Sequence, residues 1–159
     1  MTTGEINVLK RNGRGKEPLN IDKIHSMVGY ATEGITGVSA SHVEMNSGIQ
    51  FADGMSTDDI QQILIKSAND LISLDNPNYQ YVAARLLLFS LRKKLYHRVW
   101  EHPKFIDQIK NCIKQGVYDK DALVQYTESE IDRMGMWINH EQDYKFTYAG
   151  LRQVMDKYL

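Results

Sequence analysis

Several things are scarce in this 159-residue sequence, and each scarcity excludes something. Cysteine occurs once, at Cys112, so no internal disulfide can form, and no Cys-x-x-Cys pair exists to hold zinc or run redox chemistry. That usage suits a reducing cytosol, and a cytoplasmic location is the expectation. Excess charge of one sign is missing too: 19 Lys and Arg stand against 20 Asp and Glu. A near-zero balance argues against a general binder of nucleic acid or of anionic membranes, which needs a basic excess or stripe. No apolar run approaches membrane-spanning length, and no signal peptide opens the chain. The five histidines show no HxxxH or HxxE spacing, so no metal-ligand cluster is expected. Internal repeats and low-complexity segments are absent.

What is present is enough apolar content, 42%, for one domain or a small domain with an extension. The organising stretch runs from Tyr79 to Lys94. Asn76-Pro77 precedes it, a candidate cap and a residue with preset φ and no N–H to lose. Val82, Leu86 and Phe89 recur at helical spacing, and Leu87, Leu88 and Leu91 fill the circumference. A helix apolar nearly all round predicts a buried core helix with others packed about it. Its basic end, Arg92-Lys93-Lys94, is either a solvated terminus or a reach toward an anion.

Upstream, Ile6 to Lys10 reads as a strand, Asn12-Gly13 as a tight hairpin turn and Pro18-Leu19 as the return strand. The basic, glycine-rich loop Arg11 to Lys16 lacks Walker A spacing. It is a solvated tip or a flap over phosphates. Asn20 caps a first helix, Ile21 to Glu33, with Ile24, Val28 and Ala31 inward and Gly34 as the stop. Ser39 or Ser41 starts a second helix, Ser41 to Glu44 offering a capping box. Phe51 to Met55 is a turn or short strand. Ser56 or Thr57 caps a third helix, with Asp58 and Asp59 in its first turn and Ile60, Ile63, Leu64, Ala68 and Leu71 inward. The fold class is mainly α: a short β-hairpin over a cluster of four helices, followed by further helices. Those begin near His102-Pro103 (Ile106, Ile109, Ile113), at the capping box Thr127 to Glu130, and at Tyr148 (Leu151, Val154, Tyr158). His140-Glu141 and Asp143 read as a polar surface loop, and Cys112 as a small core residue.

Three of these segments resemble one family. Asn78 to Leu86, Asn-Tyr-Gln-Tyr-Val-Ala-Ala-Arg-Leu, is similar to the YxxAARL helix near the start of the large subunit of class I ribonucleotide reductase. Val8 to Gly13 and Leu19 to His25 resemble the opening of that family's ATP-cone. The similarity runs in register from about Ile6 to Leu159. It implies an ATP-cone over residues 1–94, then, over 95–159, the start of the helical region that leads to the catalytic barrel. It also implies that the cone senses ATP against dATP, with Mg²⁺, to set overall enzyme activity. The carried-over site is Lys10, Arg11, Glu17, Asn20, Lys23, Ile24, Thr57 and Lys93. Lys10, Arg11 and Lys93 would take the phosphates. Glu17 and Asn20 would take the adenine edge. Ile24 would pack on the base, and Thr57 and Lys23 would complete the ribose and phosphate contacts.

The resemblance has two departures. Gln61 stands where many active cones carry His and cannot bear a positive charge, which puts discrimination against dATP in doubt. The family's radical and redox cysteines and its substrate barrel lie beyond this stretch, so this chain alone should be inactive as a reductase. The expected partners are the remainder of the large subunit, on another chain, and the radical-generating small subunit, with neither nucleic acid nor membrane. The sequence leaves open whether it is an excised fragment or one piece of a split subunit. The final helix ends without a cap, and Leu151, Val154, Tyr158 and Leu159 are expected to seek an apolar partner. The alternative is a stand-alone nucleotide-sensing regulator or interaction module; the repressors that carry such cones also carry a Cys-rich zinc ribbon, which is missing here.

Overall fold

The computed structural model describes residues 6–10 and 15–159. Among them are three short strands, β1 (Asn7–Leu9), β2 (Lys16–Pro18) and β3 (Met55–Ser56), and seven α-helices. The helices are α1 (Ile21–Thr32), α2 (Ala40–Gly48), α3 (Thr57–Asp70), α4 (Tyr79–Tyr96), α5 (Phe105–Lys114), α6 (Glu128–Gly135) and α7 (Tyr148–Tyr158). Single 3₁₀ segments cover Lys120–Leu123 and His140–Lys145. The mainly helical fold with a hairpin over four helices is as expected, and no described helix is long and apolar enough to cross a membrane. The backbone divides into two compact units, residues 1–91 with 144–159, and residues 92–143.

In the first unit the hairpin gains a third strand. β1 pairs antiparallel with β2 and parallel with β3, giving the order β2-β1-β3. The turn before β3 makes this possible. The Asp53 carboxylate accepts the Asn7 N–H at 2.8 Å, and the Gly54 N–H donates to the Asn7 carbonyl at 2.8 Å. Gly54 sits at φ +81°, a conformation open to glycine at little cost. Ser56 then caps α3 through a reciprocal box with Asp59: the Ser56 hydroxyl accepts the Asp59 N–H, and the Asp59 carboxylate accepts the Ser56 N–H.

Helix α4 is buried on nearly every side through Tyr79, Val82, Ala83, Ala84 and Leu86 to Ser90. Its N-terminal residues bind the α1–α2 connection. The Asn78 amide donates to the Thr36 carbonyl at 2.9 Å, the Tyr79 hydroxyl accepts the Ser39 N–H at 3.0 Å, and Arg85 Nη1 donates to the carbonyls of Glu33 (2.6 Å) and Ala31 (3.4 Å). Arg85 also lies over the Tyr144 ring, 5.5 Å from its centroid, and Tyr144 meets Phe89 edge-on. Tyr144 leads into α7, which Thr147 caps and which buries Leu151; Val154 is half-buried, Tyr158 and Leu159 exposed.

Some local expectations need correction. The Ser41–Glu44 box does not form: α2 starts at Ala40 after Ser39, and Glu44 pairs with His25 at 2.9 Å. Asn76 does not cap α4; its N–H and amide donate to the Ser73 hydroxyl, and the helix starts at Tyr79 after a turn through Pro77 and Asn78. On α3, Gln61 and Ile65 are buried while Ile63 and Leu71 are only half-buried. The cause is polar: Gln61 Nε2 donates to the Leu86 carbonyl of α4 at 3.0 Å and draws that face inward.

The second unit packs α5 on α6, with Ile106 and Ile131 buried. Its closest approach is at Gly135, where an added Cβ would lie 2.6 Å from the Phe105 Cβ. Arg92, expected at a solvated basic end, is 3% exposed and pairs with Asp143 at 2.9 Å. Asp143 and His140 therefore do not form a free surface loop.

Arg85→Ala should lower the unfolding free energy by roughly 1.5–3 kcal/mol, because two helix-end carbonyls lose a charged donor. Urea denaturation checks this, and Arg85→Lys should restore only part, since an ammonium lacks the planar fork.

Candidate functional site

The expected site residues of the first unit are distributed along its small sheet: Lys10 and Thr57 follow one end, Asn20 and the start of α1 the other. Strand β1 ends at Leu9, opposite Lys16 on one side and Ser56 on the other. The next residue after Leu9 is Lys10, and the next after Ser56 is Thr57, so parallel pairing brings Lys10 and the start of α3 to the same edge. Lys10 Nζ lies 2.8 Å from Glu17 Oε2, across the antiparallel pair. Two residues beyond β2, Asn20 caps α1, its side-chain oxygen accepting the Lys23 N–H at 2.9 Å. Ile24 follows one turn in, half-buried, with a face left for a ligand. Arg11 lies outside the described residues. Lys93 is exposed near the C-terminal end of α4, in the second unit.

The electrostatics of this edge suit an anion attached to a polar ring. Lys10, Lys16 and Lys23 are exposed cations; α3 starts at the Lys10 end of the sheet and α1 at the other, each with the positive pole of its dipole. The α3 pole is already opposed by Asp58 and Asp59. Phosphate charge is thus better placed toward Lys10 and Lys23. Glu17 is held below the usual carboxylate pKa first by its hydrogen bond with Lys10, and then by the charges of Lys10 and Lys23. Asp53 is likewise lowered, chiefly by the Asn7 N–H. The Asn20 oxygen is committed to the helix cap, so its amide is the group left to donate. Glu17 remains the acceptor for an exocyclic amine.

Comparison with known proteins narrows the chemistry. The family described as ATP cone domain matches residues 6–94. The chain belongs to the ATP-cone family. Over 152 residues, 96% of its length, it is 47% identical to ribonucleoside-diphosphate reductase 1 subunit alpha of Escherichia coli (strain K12). It is 43% identical over 154 residues to ribonucleoside-diphosphate reductase subunit alpha of Enterobacteria phage T4, and 37% identical over 159 residues to that of Helicobacter pylori, in each case across 97% of this chain. These relatives are much longer. The chain spans about 20% of the length of the first two and 19% of the third, the N-terminal part of such subunits.

Within the ATP-cone, Gln61 lies one turn along α3 from Thr57. It is buried, and its amide is spent on the Leu86 carbonyl. Sequence reasoning missed Asp53, which holds the β1–β3 turn. An Asp-Gly pair was the available signal, but its partner Asn7 is 46 positions away.

The Lys10–Glu17 pair makes a pH-dependent contribution of known sign. Because the folded pKa of Glu17 is depressed, the stabilisation is present above its ordinary unfolded value and is lost as pH falls through the folded value. Lys10→Gln should return the Glu17 pKa toward that ordinary value, and side-chain carboxyl NMR titration reads the change directly.

Proposed function

We propose that this chain is the regulatory front portion of a class I ribonucleotide reductase large subunit, binding ATP or dATP at the sheet edge. The observation that carries the reading is Glu17 on β2, paired with Lys10 at 2.8 Å and within the electrostatic reach of Lys23, inside an ATP-cone. Lys10 and Lys23 supply point charges for phosphate, Glu17 and Asn20 read the base edge, and Ile24 offers it an apolar surface. Arg11 and Lys93 join the set through the family resemblance. Mg²⁺ would arrive on the phosphates, keeping most of its waters. A cone of residues 1–94 as the sensing part, with 95–159 as the start of the reductase's helical region, is part of the same proposal.

The catalytic cysteines and barrel of the relatives belong to their remaining length. Reduction of ribonucleotides is accordingly assigned to an assembly with that barrel and a radical-generating small subunit, in the cytoplasm. The effector acts there by its different affinity for two states of the assembly. A neutral Gln61 tied to α4 favours weak inhibition by dATP.

Thermal and urea unfolding with ATP and dATP test the binding claim. ATP at about 100 times its dissociation constant should add ~2.7 kcal/mol of stability, and Lys93→Ala should cost on the order of 1.5–3 kcal/mol of binding. No stabilisation by either nucleotide contradicts the proposal. Strong inhibition of the assembled enzyme by low dATP contradicts the reading of Gln61.

A further inference from the structure

The second unit brings together residues that sequence spacing kept apart. His102 precedes α5, while His140 and Asp143 lie on the last 3₁₀ segment. One ligand atom from each of His102, His140 and Asp143 lies within 4.8 Å of the others. Short-range spacing gave no sign of this grouping, because the fold closes a gap of 38 positions that no short motif spans. The two imidazoles stack face to face, centroids 3.5 Å apart and planes 3° from parallel. His140 Nδ1 is 3.6 Å from Asp143 Oδ2, and the same oxygen is 2.9 Å from Arg92 Nη2. His102 Nδ1 is buried and has no hydrogen-bond partner, an arrangement that a folded protein rarely leaves without a purpose.

We propose that His102, His140 and Asp143 form a binding site for a divalent transition-metal ion of the zinc, cobalt or nickel type. Two imidazole nitrogens and one carboxylate favour such ions over Mg²⁺ or Ca²⁺, which want oxygen. Bonds of about 2.0–2.2 Å require the donors to close in, and because an imidazole lone pair lies in its ring plane the stacked rings must rotate out of parallel to meet at one ion. Both histidines border a cavity of 480 Å³, also lined by Tyr96, Gln108, Met136 and Ile138, with room for waters to complete the coordination shell. Arg92 is the opposing charge. Its Nη2 holds the Asp143 oxygen that also faces His140, orienting the carboxylate as outer partners of metal sites do.

The test is titration of the whole 159-residue chain with Co²⁺ as a spectroscopic probe. Visible ligand-field bands should grow, saturate at equimolar metal and be displaced by Zn²⁺ but not by Mg²⁺. His102→Gln and His140→Gln should each weaken binding at least about tenfold, while His25→Gln leaves it unchanged. A readout independent of variant folding is imidazole NMR of the unaltered chain, in which Zn²⁺ should move the His102 and His140 ring signals. The proposal is overturned if no bands appear, if binding survives both substitutions, or if the rings that respond are those of His25 or His97. Nucleotide binding by the first unit plays no part in these readouts.

Discussion

The burial of α4 is the constraint on which the first unit depends. A helix without a polar face must be enclosed, and the neighbours that enclose it have to be held in place. Three residues of one motif do this. Asn78 and Tyr79 secure the connection from Thr36 to Ser39, and Arg85 secures the end of α1. Gln61 ties α3 to the same helix from another direction. Ala83 and Ala84, fully covered, keep the surface small between the larger Val82 and Leu86. The motif that most clearly marks the family thus works mainly as structure: its polar side chains are spent on backbone groups of adjacent segments, not held out to a ligand.

The consequence for function is positional. With α1 and α3 fixed about α4, their N-termini come to the two ends of a sheet only three strands wide, and β1 delivers Lys10 to the end where α3 starts. The pairing of β1 with both β2 and β3 is what unites residues from the start of the chain with Thr57. The resting Lys10–Glu17 pair keeps both groups ordered in solvent-accessible positions. In the proposed complex an arriving phosphate would compete with Glu17 for Lys10, and the released carboxylate would become an acceptor. The proposed effector would therefore rearrange an existing ion pair at modest cost, because an exposed pair of this kind is weakly held.

Much of this was legible in the sequence. Helical periodicity and caps located the helices, since Asn20, Ser56, Thr127 and their partners are local in sequence. The pairing of β1 with a return strand was also expected, while the Asn12-Gly13 turn lies outside the described residues. Less legible was whatever depended on distant partners. β3 is two residues long and exists because Asp53 and Gly54 bind Asn7. Arg92 looked like a solvated basic residue, but Asp143, 51 positions later, allows its burial. The inward turn of Gln61 needed the Leu86 carbonyl, which no side-chain pattern reveals. The His102–His140 stack was invisible for the same reason. For the candidate site, the residues followed from resemblance, while the engagement of Glu17 with Lys10 could only be seen in three dimensions.

Backbone amide NMR of the ¹⁵N-labelled chain during titration with Mg²⁺–ATP tests the central claim most directly. The account predicts that the largest saturable shifts fall on Lys10, Glu17, Asn20, Lys23 and Thr57, with the interior of α4 nearly still. Saturable shifts centred elsewhere, for example on α5 and α6, or the absence of any saturable shift, would contradict it.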